Sequence, residues 1–194
     1  MDTREHQEAI KEAVHNHGNR RVALLIAVLA AFLALTEMRG KGAQLDSLAA
    51  NIEAANLWSF FQAKTIRQTT LRTAAEGLEA VGGAGLPTDR AEAVVKRVQA
   101  WRATAERYET EPSTNEGRKE LIARAKSAEA QRDRALSAYH LYEYGAAGLQ
   151  LAIVLASASL IAGVAWLTWL GGALGAVGVA FAVLGWLAPT LVHL

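Results

Sequence analysis

Glu12 and His15 form a Glu-x-x-His pair, with His17 just beyond it, and these residues come nearest in type and spacing to metal chemistry. On a helix such a pair projects a carboxylate and an imidazole from one face. A carboxylate-bridged di-iron site needs two such pairs plus two further glutamates on facing helices. No second Glu-x-x-His occurs, and His140-Leu-Tyr-Glu143 runs in the reverse order. Both groups therefore read as solvated helix surface, with no metal or other cofactor expected. The chain has no cysteine, which excludes disulfides, thiolate ligands and a cysteine nucleophile. Gly40-Lys-Gly42 and Gly82-Gly-Ala-Gly85 lack the spacing of phosphate-binding loops and the strand that precedes one. No Gly-x-Ser-x-Gly elbow is present either. The chain reads as non-enzymatic. Glu37 is the remaining candidate, a carboxylate at the end of an apolar run. In an oligomer a ring of Glu37 side chains would favour cations at a pore mouth; in a single chain, pairing with Arg39 or Lys41 accounts for it.

Long helices have to position these groups. Lysine and arginine number 20 against 19 aspartates and glutamates, a net charge of +1 that excludes a nucleic-acid partner held by bulk charge. The distribution says more than the total. From Gly145 to Leu194 there is no Asp, Glu, Lys or Arg, and Arg20 to Glu37 encloses a second uncharged window. The longer window suits two bilayer crossings of about twenty residues each. The expected organisation is a polar segment at 1–19, transmembrane helices at 20–38, 145–170 and 171–192, and an extramembrane domain at 39–144. Gly171-Gly172 is expected to make the tight turn between the last two helices. Trp166, Trp169 and Trp186 are placed near the headgroups, where amphipathic rings prefer to sit.

Small residues recur along these helices. Gly171, Gly175, Gly178, Ala182 and Gly185 make one stripe; Gly148, Ala152, Ala156, Ser159 and Gly163 make a second; Ala23, Ala27, Ala30 and Ala34 make a third. Lipid offers no hydrophobic drive for helix association, so close backbone approach through such faces is what joins membrane helices. Each stripe is expected to be a packing face, within the chain or between copies.

Between the apolar blocks the composition is that of solvent-exposed helices, rich in Ala, Glu, Lys, Arg and Gln. Bends are expected at Gly40 and Gly42, in 82–89 and in 111–117. They delimit helices over about 43–81, 89–109 and 116–144, the last continuing into the second membrane helix. Thr88 or Asp89 is expected to cap the middle helix, with Glu92 placed for a capping box. No β pattern appears, so the fold class is all-α. A chain that leaves and re-enters one membrane face favours a coiled-coil-like helical hairpin, the first helix rising and the other two returning end to end.

The stretch Asn56-Leu-Trp-Ser-Phe-Phe-Gln62 concentrates the aromatic residues of this domain. Trp58, Phe61, Thr65 and Gln68 share one helical face, while Phe60 points elsewhere. A seam between helices is the leading reading, ahead of a membrane-surface anchor or a ligand platform. In its order of elements the chain resembles the bacterial proteins called domain of unknown function 4337. Their hallmark is an N-or-D, x, W, aromatic-pair, Q-A-K-S/T-I-K/R core, matched by Asn56, Trp58, Phe60, Phe61, Gln62, Ala63, Lys64, Thr65, Ile66 and Arg67. The resemblance covers about 20–80 and 140–190. It implies an integral membrane protein of bacteria and brings no established activity. Basic residues frequent in the family's last hairpin turn are absent from Leu167 to Gly172.

The functional expectation is a non-enzymatic inner-membrane protein, with the lipid bilayer as its first partner. It would form a homo-oligomer through the small-residue faces and the Trp58–Gln62 region, as a scaffold or as an accessory to another membrane complex. The alternatives are an oligomeric channel with Glu37 near its mouth and a module binding a small ligand or lipid between aromatic helices. Lys11, Arg20 and Arg21 against Arg39 and Lys41 favour a cytoplasmic N-terminus and a periplasmic helical domain.

Overall fold

The structure, a computed structural model, describes residues 3–82 and 87–191, with side chains from Asn19 onward. Those residues form four α-helices and no strand: α1 (Thr3–Gly82), α2 (Thr88–Glu109), α3 (Arg118–Ala162) and α4 (Ala165–Leu187). The all-α expectation holds. Three of the helices, α1, α3 and α4, are long and apolar enough to cross a membrane. The chain divides into two compact units, Met1–Ser47 with Asp133–Leu194, and Leu48–Arg132.

In the first unit the residues of α1 withdrawn from solvent include Ile26, Leu29, Leu33, Thr36, Gly40, Ala43 and Ser47, at alternating steps of three and four. That is the heptad spacing of helices that pack side by side. Leu29, Leu149 and Ala152 form the buried cluster, with Leu25, Leu33, Ile153, Leu174 and Val179 packed against it. Of the two forms expected for the stripe on α1, packing within the chain is not the one formed: Ala23, Ala27, Ala30 and Ala34 are all exposed. The larger side chains of α1 face inward because α4 supplies the space. A Cβ on Gly175 would collide with Leu29 Cδ2.

Two expected breaks are corrected as well. α1 runs unbroken through Gly40 and Gly42. A helix tolerates glycine at a cost of about 1 kcal/mol, and Gly40 is buried where a Cβ would lie 3.3 Å from Tyr142 Cβ. Gly171-Gly172 is not the turn between the last two helices but lies inside α4. The chain reverses at Gly163-Val164, so the boundary expected at 170/171 moves toward the N-terminus. Gly163 adopts φ +67°, the left-handed region that favours glycine, and its N–H donates to Ser159 O at 3.0 Å. Ser159 Oγ donates to Val164 O at 2.9 Å and lies 2.6 Å from Thr168 Oγ1, closing the turn.

In the second unit the covered positions of α1 keep the same period, through Ala50, Ala54, Leu57, Phe61, Lys64, Gln68, Leu71, Ala75 and Leu78. Ala54 and Leu57 pack with Leu121, Ala125 and Ala128 of α3, and Trp58 and Phe61 close over them. α2 turns its apolar stripe inward, burying Val98 and Ala105. The expected cap on α2 is not formed: Pro87 is the N-cap, Thr88 is already helical, and no side chain caps the first turn. Pro87 O instead accepts from Arg90 N and Ala91 N, each at 3.0 Å. Pro87 has no N–H to satisfy, so a proline at this point leaves fewer orphan donors than the capping box assumes.

Candidate functional site

Lys64 and Gln68 fall on the buried phase of α1, one helical turn apart. A charge and an amide in that phase require partners, since an unpaired buried polar group costs more than its contacts return. The end of α2, the following loop and the start of α3 supply them. Lys64 Nζ lies 3.4 Å from Glu111 Oε2 and 3.8 Å from Glu116 Oε2. Its ammonium also sits 5.2 Å from the Phe60 ring centroid and 5.7 Å from that of Tyr108, where ring quadrupoles attract a cation.

Arg118, the first residue of α3, completes the cluster. Its Nη1 donates to Gln68 Oε1 and to Glu109 Oε2, both at 2.6 Å, and its Nε donates to Thr65 Oγ1 at 3.0 Å. Gln68 Nε2 donates to Ala105 O at 2.9 Å and to Glu109 Oε2 at 3.0 Å. The Gln68 hydrogen bond first, and then the Arg118 charge, hold the Glu109 carboxyl below the ordinary range, against a desolvation that pushes it up. The Arg118 guanidinium also covers the Phe61 ring at 5.0 Å. Phe61 meets Trp58 edge to face at 5.6 Å, and Trp58 Nε1 donates to Glu129 Oε1 at 2.8 Å. Gly117 lets the loop close. A Cβ there would strike Glu120 Oε2 and Glu111 N and come within 2.8 Å of Thr110 Cα. Among the described residues no buried side-chain donor or acceptor lacks a partner.

The structure thus sorts the sequence-nominated motif into two sets. Trp58, Phe61, Lys64 and Thr65 face α2, α3 and the loop between them; Asn56, Phe60, Gln62 and Arg67 are exposed. Sequence reasoning placed Gln68 on the inner face but missed Arg118, Glu109 and Glu111. The available signal was Lys64 itself, a lysine in the buried phase of a heptad.

In the first unit the small residues bring backbones together. A Cβ on Gly171 would lie 2.9 Å from Ala152 O, and one on Gly178 2.8 Å from Gly145 O. On Gly185 it would lie 3.3 Å from Ala138 O, and on Gly148 3.3 Å from Gly178 Cα. Ala182 offers its backbone N 3.2 Å from where a Gly145 Cβ would stand. Gly171, Gly175, Gly178, Gly185, Ala152 and Ser159 are buried, Gly148 and Ala182 half-buried, and Gly163 exposed at the turn.

Glu37 is exposed and its Oε1 accepts from Gln150 Nε2 at 3.2 Å. It lines an open cleft of about 420 Å³ between α1 and α3, with Lys41, Gln44, Tyr139, Glu143 and Gln150. The Glu12–His15 pair lies outside the described side chains. His140 Nδ1 stands 3.6 Å from Glu143 Oε2, and among the described residues no three His, Asp or Glu side chains group as metal ligands.

No curated protein and no solved structure matches the chain. A family model described as Domain of unknown function (DUF4337) matches residues 18–188. That match takes in α1 from residue 18 onward, the whole of α2, α3 and α4, the cluster around Lys64 and Arg118 and the glycine contacts alike, and the chain belongs to the DUF4337 family.

Proposed function

We propose that this is a non-enzymatic membrane protein in which three transmembrane segments, one each from α1, α3 and α4, carry an extramembrane helical hairpin that serves as a scaffold or accessory surface. The observation that carries the membrane reading is the apolar exterior of the first unit. Leu24, Val28, Leu35, Leu151, Val154 and Val177 are exposed, and Ile161 shows 88% of its surface. A large contiguous apolar surface needs a non-aqueous neighbour. Trp166, Trp169 and Trp186 are exposed near the ends of α4, as rings at headgroup level would be. Three contact levels support the hairpin. Gln68 meets Ala105 of α2, Thr65 meets Arg118 where α3 begins, and Trp58 meets Glu129 further along α3.

The non-enzymatic reading follows from how the polar groups are used. Arg118, Gln68 and Glu109 are engaged with one another and Lys64 with Glu111 and Glu116, which holds helices together and leaves little reactive capacity. The small-residue faces of α3 and α4 are likewise occupied within the first unit, whereas Ala23, Ala27, Ala30 and Ala34 of α1 are exposed, so self-assembly has that face or another surface to use. Extraction with alkaline carbonate tests the membrane reading: the chain should stay with the lipid pellet, and release into the wash would sink it. Thiol accessibility from either side of sealed vesicles, at single cysteines placed at Arg90 and Thr114, tests the hairpin. Both sites should label from one side, the periplasmic side in an inner-membrane orientation with a cytoplasmic N-terminus.

A second reading, an oligomeric cation pore, is favoured by the polar cleft around Glu37 on an otherwise apolar unit. Glu37→Gln should then lower cation conductance in reconstituted vesicles; unchanged conductance removes Glu37 from that role.

A further inference from the structure

α1 carries a second stripe with the same seven-residue period, on the face opposite the buried one. Ala49, Asn56, Ala63, Thr70 and Gly77 occupy one position of the repeat. Ile52, Ser59, Ile66, Thr73 and Ala80 occupy the other. All are exposed, Ile52 at 52% and Ile66 at 67%. None is charged, although Glu53, Lys64, Arg67, Arg72, Glu76 and Glu79 lie on the same length of helix. An uncharged heptad stripe on a helix whose other stripe is already covered is a second seam with nothing on it.

We infer that this stripe is the contact surface of a parallel pair formed with a second copy of the chain. Small residues at the first position allow close approach, and Ile52 and Ile66 supply the knobs. Asn56 then meets its own counterpart. An asparagine at that position of a parallel pair is satisfied only by the partner's asparagine at the same level, which fixes register. The flanking charges agree. Lys41 and Asp46 stand five residues apart at the two flanking positions of the same repeat, so across a parallel pair each lysine faces the other copy's aspartate. Three heptads later Gln62 and Arg67 hold the same two positions, an amide facing a guanidinium, and no like charges are opposed. The parallel sense rests on the membrane reading proposed above, since copies inserted the same way up present α1 in one direction. A two-fold axis along the pair makes the surface self-complementary.

The absence of native cysteine makes each introduced thiol unique. Ile52→Cys and Asn56→Cys on the stripe, and Asn51→Cys and Arg72→Cys off it, would be oxidised in membranes carrying the full chain. All four positions are exposed, so folding is not at stake. Disulfide-linked species of doubled mass should form several-fold more at 52 and 56 than at 51 and 72. Equal yields at the four positions, no yield at 52 and 56, or an adduct with a different polypeptide would overturn the pair. Carbonate extraction of the same membranes keeps the two proposals apart. A chain retained in the pellet without cross-links at 52 and 56 removes the pair alone, whereas release into the wash removes the membrane reading.

Discussion

The two units pack their helices with opposite chemistry. In the first, contact comes from side chains that are missing: Gly171, Gly178 and Gly185 put the backbone of α4 against carbonyls of α3. In the second, contact comes from long polar side chains that reach across, Lys64 and Arg118 above all. α1 enters both with the same heptad phase, so periodicity does not choose between them. In the membrane reading proposed above, the surroundings do. Where there is no water to exclude, dispersion and close approach are what remain. Where water surrounds the helices, buried alanine and leucine supply the drive and the ions set the register.

The sharpest way to break this contrast is to restore a side chain where the first unit lacks one. Gly178→Leu would place its branch on Gly145 O and Leu149, with backbone on one side that cannot retreat. The expected loss is at the top of the overpacking range, about 3 kcal/mol, read as faster amide exchange in α3 and α4 with the second unit unchanged. Lys64→Met tests the other half. It removes the cation between Glu111 and Glu116, and should cost about 2 kcal/mol, below the loss for a sealed pair because both carboxylates keep some contact with water. Exchange should rise in α2 and in the first turns of α3; no change there would show that the cluster does not hold the unit together.

Smaller effects sharpen the comparison. Trp58→Phe keeps the edge-to-face contact with Phe61 but loses the hydrogen bond to Glu129, an expected cost of about 1 kcal/mol in denaturant titration. Gly172→Ala should be neutral or stabilising by up to about 1 kcal/mol, since nothing lies within 4 Å of its Cβ, while its neighbour Gly171→Ala should destabilise. Equal behaviour of the two would mean that close approach is not what the glycines provide. A pH dependence is expected in the second unit. A carboxyl held below its ordinary value stabilises the fold above the unfolded value, about 4.3, and that contribution disappears as pH falls through the lowered one. Exchange near Glu109 should therefore rise as the pH falls below about 4.3, and Glu109→Gln should flatten the rise.

Much of this was legible in the sequence because it depends on local pattern. The end of α2 at Glu109 and the shared face of Trp58, Phe61, Thr65 and Gln68 follow from spacing alone. What escaped depends on the partner. Gly171-Gly172 reads as a turn until α3 is known to press against Gly171, and Gly163, where the chain does reverse, looked like one more small residue in a stripe. The alanines of α1 have the spacing of a packing face, but within the chain the leucines pack instead because the glycines of α4 leave room for them. Arg118 escaped for a similar reason. It follows a loop, and nothing local to it reports that Gln68 lies opposite.

The reversal at Gly163-Val164 bears on how the protein is made. Around it the Ser159 and Thr168 hydroxyls and the Val164 carbonyl satisfy one another, and no charge lies between Gly145 and Leu194. In the membrane reading, α3 and α4 can then enter the bilayer as a preformed pair whose leading end carries little that resists the passage. A tip without charge also gives the insertion machinery nothing to retain on one side. Among residues 133–194 the ionised groups that can bias which way that pair faces all precede Gly145.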